Sequence, residues 1–219
     1  MLSATMARRK TSGKDSSQRE RRGRKAPAEG VLDRLAADEA TAVLRLLLEE
    51  HPELRSEAEQ LATDLVSSSS VEDVADNIFA RITGVDLDAL NQQAGAHSWG
   101  YVEPSEAAWE LLEEEVEDLV SDMKRKADLR LASAAEAVCR GIVEGLYRAR
   151  HTKSDGALGW APDFPLEKAP SVIEVMIESI DPKDKSAAQT RLLEALAVTV
   201  PEWMNSLRRV LGGRGEDKG

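Results

Sequence analysis

From Val31 to Leu211 the apolar residues recur at i, i+3, i+4 and i+7, the spacing of one face of an α-helix. No stretch alternates with period two for long enough to build a sheet. Leu32, Leu35, Ala42, Val43, Leu46 and Leu47 share one face, which predicts a short turn and then a helix over 38–50 with Asp38 as candidate cap. Pro52 suits the first turn of a new helix, and Glu53 suits its positive end. That second helix runs to about Val66 on Leu54, Ala58, Leu61, Ala62 and Leu65. Ser70 with Asp73 resembles a capping box before the stripe Val71, Val74, Ala75, Ile78, Phe79, Ile82, which Gly84 ends. Asp86 caps a short helix through Leu87 and Leu90, closed by Gly95.

After the loop His97–Pro104, Ser105 caps a long helix with Trp109, Leu112, Val116, Val120 and Met123 inward and Glu106, Glu110, Glu113, Glu114, Glu117 and Asp118 outward. Ser133 opens the next helix, on Val138, Cys139, Ile142, Val143 and Leu146. Residues 152–170 read as a Gly/Pro-rich loop, a candidate boundary between two sub-bundles. Ser171 and Glu174 form a capping box before Val172, Ile173, Met176 and Ile177. A further helix starts at Asp184, and a last one follows Pro201 and stops at Gly212-Gly213. The expectation is an all-α domain over 31–211, with about eight or nine helices in antiparallel hairpins forming a bundle or a short solenoid-like stack.

A faint internal repeat appears when Pro52 is set over Pro201: Leu44 falls on Leu193, Leu47 on Leu196, Glu53 on Glu202 and Leu54 on Trp203. Two antiparallel helices joined by a tight proline turn produce the same pattern, and two copies fall short of the ~3 that repeat arrays need. Residues 32–62, through Leu32, Leu35, Leu46, Leu47 and His51-Pro52-Glu53-Leu54, resemble helical hairpins of bacterial α-solenoid-like proteins, including the helical regions that accompany SWIM-type zinc fingers. The resemblance implies a helical hairpin and no activity, since the cysteines of the finger itself are missing. The Gly100–Pro104 approach to a helix is similar to that of an uncharacterised bacterial all-α family.

Charge divides the chain. Residues 1–29 hold nine Lys/Arg and three acids, a net of +6, while the remainder holds 20 and 37, a net of -17. Residues 1–30 carry almost nothing apolar after Met6, which predicts a disordered basic arm. Residues 212–219 read as a disordered tail. Arg8, Arg9, Lys10, Arg21, Arg22, Arg24 and Lys25 are candidates for contact with anions or nucleic acid through phosphate neutralisation. Interleaved aromatics and a helix-turn-helix signature are missing, so base-specific reading is unsupported.

No catalytic or metal motif emerges. His51, His97 and His151 sit in three different connections without ligand spacing. Cys139 is the only cysteine, so no internal disulfide forms, and it lies on an apolar stripe where a thiol acts as a small hydrophobe. No Glu-x-x-His pair accompanies the acids of 106–122. Phosphate-binding glycine loops and the nucleophile elbow are absent. No cofactor is expected.

Four of the eight aromatics, Trp99, Tyr101, Trp160 and Phe164, fall in two loops, where they read as a partner-contact surface or as plugs closing the ends of the bundle. The expectation is a cytoplasmic, non-enzymatic interaction or adaptor protein with an acidic surface, its partner a protein. The alternatives are an accessory nucleic-acid-associated protein using the arm, and an enzyme whose site one sequence does not reveal. No run approaches the ~18 apolar residues of a membrane span, so no membrane role is expected.

Overall fold

The structure, a computed structural model, describes residues 30–98 and 100–212. It is all-α, with ten α-helices and one two-stranded sheet among the described residues. The chain divides after Arg55 into two compact units.

In the first unit a 3-10 turn, Leu32–Arg34, precedes α1, Ala37–Glu50, and a second 3-10 turn, Pro52–Leu54, follows it. Ala36 stands at the N-cap of α1, and its N–H donates to Glu39, so the helix starts one residue before the expected Asp38. Val43, Leu44, Leu46 and Leu47 of α1 are all exposed.

The second unit begins within α2, Arg55–Val66, whose Leu61 and Leu65 are exposed. Its body comprises α3 (Val71–Gly84), α4 (Leu87–Gln93), β1 (Gly95–His97), β2 (Gly100–Val102), α5 (Pro104–Asp128), α6 (Ala132–Ala149), α7 (Ala157–Trp160), α8 (Phe164–Ser179), α9 (Lys185–Thr199), the 3-10 turn Pro201–Trp203 and α10 (Met204–Gly212). Ser70 and Asp86 cap α3 and α4 as expected, accepting from the N–H groups of Asp73 and Ala89. Three other expected starts move upstream. Pro104, pre-set for the first helical position, begins α5 ahead of Ser105, and Ala132 begins α6 with Leu131 as cap. Pro165 in the first turn lets α8 begin at Phe164, which leaves Pro170 and Ser171 inside the helix.

The core is centred on α6, which packs on α3, α5 and α8. Its partnership with α3 is the most extensive, and two glycines permit it. A Cβ on Gly141 would lie 2.5 Å from Val74 Cβ, and one on Gly145 would lie 2.6 Å from the Ala75 carbonyl oxygen. Arg148 locks the same pair at the rim, donating to Asp76 at 2.6 Å and Glu72 at 2.8 Å. The segment 152–170 lies inside the second unit, where Ala157, Leu158, Ala161 and Phe164 are buried. It forms α7, the helix beyond the expected nine.

Among the described residues one cation is buried, and its partner sits one turn away on the same helix. Lys126 on α5 is 3% exposed and donates to Asp122 one turn earlier. Burial pushes the Asp122 carboxyl up, but the hydrogen bonds and charges of Lys126 and Arg125 outweigh it and hold the group below 3.8. Removing the carboxylate strands a buried ammonium, so Asp122→Ala is expected to cost about 2 kcal/mol in a denaturant melt at neutral pH. A group with a lowered folded-state pKa stabilises fully above its unfolded value. The gap between wild type and variant therefore closes as pH falls from 3.8 through the lower folded value.

Candidate interaction surface

Two aromatics stand out of the body on short elements held from beneath. The first is Tyr101, 63% exposed. It lies in β2, opposite Ala96 in the antiparallel register Gly95↔Val102, Ala96↔Tyr101, His97↔Gly100. Gly95 and Gly100 take φ of +105 and +148, values that side-chain-bearing residues rarely adopt, and so fix the hairpin at both ends. Its base is tied to the helices: a ring nitrogen of His97 meets the Gln93 carbonyl at 2.8 Å, and the Gln93 amide donates to Glu110 of α5 at 2.8 Å. Beside the hairpin runs an open groove of about 430 Å³, lined by Ala89, Gln92, Gln93, His97 and Leu111. Its walls combine the Gln92 amide and apolar carbon with the Gln93 and His97 groups that tie the hairpin base to the helices.

The second is Trp160, 51% exposed at the end of α7. This single turn is clamped in place. The Ala157 N–H donates to the Val85 carbonyl at 3.1 Å, and Gly156 lies so close that a Cβ would meet the same oxygen at 2.0 Å. A Cβ on Gly159 would lie 2.2 Å from the Ser154 carbonyl. The indole is therefore presented on a rigid support, which lowers the entropy lost when a partner covers it.

Phe164 does not belong with them. It is fully buried at the start of α8 and meets Trp109 edge to face, ring centroids 4.9 Å apart. The Gly/Pro composition of 152–170 puts it in a loop ahead of a helix start at Ser171, whereas Pro165 in the first turn of α8 brings it into the core. Trp99 lies outside the described residues, as do Arg8, Arg9, Lys10, Arg21, Arg22, Arg24 and Lys25.

The other chemistry-bearing groups are dispersed. His51 contacts Glu53 of its own turn at 3.1 Å, and His151 lies 4.0 Å from Glu202. Among the described residues no group of three or more His, Cys, Asp or Glu is placed to hold a metal ion. Cys139 is fully buried; burial and then the charge of Glu136 push its thiol up, which keeps it protonated and a poor nucleophile. The acids Glu110, Glu113, Glu114 and Glu117 line a shallow trough on α5, and Lys168 of α8 donates to Glu113 at 2.8 Å. No helix among the described residues is long and apolar enough to cross a membrane.

The close helix approach at the glycines of α6 and the hairpin with its groove lie outside what apolar periodicity reveals. Gly141-x-x-x-Gly145, on a helix otherwise rich in Val, Ile and Ala, was the available signal for close helix approach. Gly95 and Gly100, spaced to bracket a tight reversal, were the signal for the hairpin. No family model, curated protein or solved structure matches the chain.

Proposed function

We propose that this chain is a non-enzymatic helical adaptor that binds another protein through Tyr101 with the groove beside its hairpin and through Trp160. The observation behind the reading is selective exposure. Of the seven described aromatics, these two alone are exposed, and both stand on elements clamped by glycines and backbone hydrogen bonds. Rigid exposed Tyr and Trp are the side chains that most often anchor protein interfaces. The acidic body favours a partner with basic character around that anchor. The nucleic-acid alternative rests on the arm's sequence alone.

The test is direct binding of a purified partner, first found by affinity capture with the full chain and then titrated by calorimetry. Tyr101→Ala and Trp160→Ala are each expected to weaken binding by about 2 kcal/mol while the melt stays nearly unchanged. Equal affinity of both variants and wild type, or no saturable protein binding, overturns the reading.

A further inference from the structure

The proline turns after α1 and α9 share one backbone. His51 and Val200 precede them at φ, ψ of -127, 70 and -128, 51. The N–H of His51 donates to Leu47 and that of Val200 to Leu196, both at 2.8 Å; Leu54 returns to His51 and Trp203 to Val200, both at 3.1 Å. The register of the internal repeat therefore holds at the level of hydrogen bonds, and Val43, Leu47 and Glu53 correspond to Leu192, Leu196 and Glu202.

The two copies differ in what covers them. Leu192 and Leu196 are fully buried, with α9 packed on α6 and α8. Glu202 accepts from Arg150, the residue that ends α6, at 3.1 and 3.2 Å. In the first copy Val43 and Leu47 are 41% and 43% exposed, Leu46 is 58% exposed, and Glu53 meets the His51 ring of its own turn. The second copy thus displays the kind of occupant this geometry accepts: an apolar helix face whose C-terminal arginine reaches the turn glutamate.

Charge narrows the choice further. α1 carries Asp38, Glu39, Glu49 and Glu50 against Arg45, a net of -3. Glu39, Val43, Leu46 and Glu50 fall at i, i+4, i+7 and i+11, so acids close both ends of the exposed row. A second copy would set -3 against -3. The chain's own arm has the right charge, but beyond Met1, Leu2 and Met6 its apolar residues are alanines and Pro27, too little apolar surface to cover a leucine face.

We infer that α1 docks an amphipathic helix of a partner protein, apolar on one face and basic at its C-terminal end, with an arginine seated on Glu53 as Arg150 is on Glu202. The inference rests on the adaptor reading and adds a contact separate from Tyr101 and Trp160.

Fluorescence anisotropy with the full chain tests it. The probe is a labelled leucine–lysine peptide of about 18 residues, amphipathic as a helix and ending in arginine. A control has the same composition scrambled around the helix, and a second control ends in alanine. The amphipathic probe is expected to bind about tenfold tighter than the scrambled one, and Leu47→Glu is expected to erase that preference. Glu53→Gln is expected to weaken the arginine-ended probe several-fold and leave the alanine-ended one unchanged, a coupling that general charge loss does not produce. Leu47 and Glu53 are exposed, and circular dichroism checks that both variants fold. Equal binding of amphipathic and scrambled probes, an unaltered preference in Leu47→Glu, or a dimer in sedimentation that Leu47→Glu dissolves each overturns the inference. If the purified partner still depends on Tyr101 and Trp160 while the α1 variants bind as wild type, the inference fails and the adaptor reading stands. If the partner is insensitive to Tyr101 and Trp160, the adaptor reading fails at its own site.

Discussion

Gly145→Leu is expected to abolish the cooperative melt of the body, and Gly145→Ala alone to cost about 3 kcal/mol. A Cβ at this position would lie 2.6 Å from the Ala75 carbonyl oxygen and 2.7 Å from Ile78 Cβ, distances that require α3 and α6 to separate. One of the two obstacles is backbone, so a rotamer change cannot relieve the clash. Alanine regains up to ~1 kcal/mol of helix propensity, which is small against the overlap. Leucine adds three further carbons to the most extensive helix pair of the fold, where Ile78, Ile82, Ile142 and Leu146 are fully buried. Against the ~5–15 kcal/mol of a typical domain, losing that layer leaves little to fold. Thermal unfolding followed by circular dichroism decides it. A Gly145→Ala variant that melts with wild type would mean that α3 and α6 yield at no cost.

Trp109→Ala is expected to lose about 3 kcal/mol, and Trp160→Ala well under 1. Trp109 is half-buried on α5, packed on the core and set edge to face with Phe164 at 4.9 Å, a geometry that adds about 1 kcal/mol beyond its buried area. Trp160 leaves half its surface in solvent, and α7 is held by backbone contacts at Gly156, Ala157 and Gly159 that do not involve the indole. Urea melts of the two variants give the comparison. A Trp160→Ala loss equal to that of Trp109→Ala would turn the exposed indole into a core plug and remove one anchor of the proposed interface.

The helices were legible because burial imposes a period on each. The stripe Val74, Ala75, Ile78, Ile82 and the stripe Val138, Cys139, Ile142, Leu146 are buried as the pattern predicts. Caps were legible where a side-chain oxygen and an extended backbone coincide, at Ser70 and Asp86. Serine misled at Ser105 and Ser171, where Pro104 and Pro165 had already opened the helix. The hairpin at Gly95–Val102 was hidden because strands of three residues are too short to display alternation. Of the candidate contacts, Tyr101 and Trp160 are exposed and Phe164 is buried. Loop composition brought the three together, and only the start of α8 separates them. Periodicity also marked the apolar face of α1 but carries no information about what lies against it.

Cys139 turns the closure of the core into something that can be timed. It is the one thiol of the chain, buried where α6 meets its neighbours and held protonated by that burial. A thiol-specific reagent reaches its Sγ only during an opening of α6, so the slowing of modification relative to a free peptide thiol counts how rarely that opening occurs. When opening and reclosing outpace the reagent, each tenfold slowing corresponds to about 1.4 kcal/mol of opening free energy. The chain thus carries its own clock for the breathing of its central helix, without an introduced label.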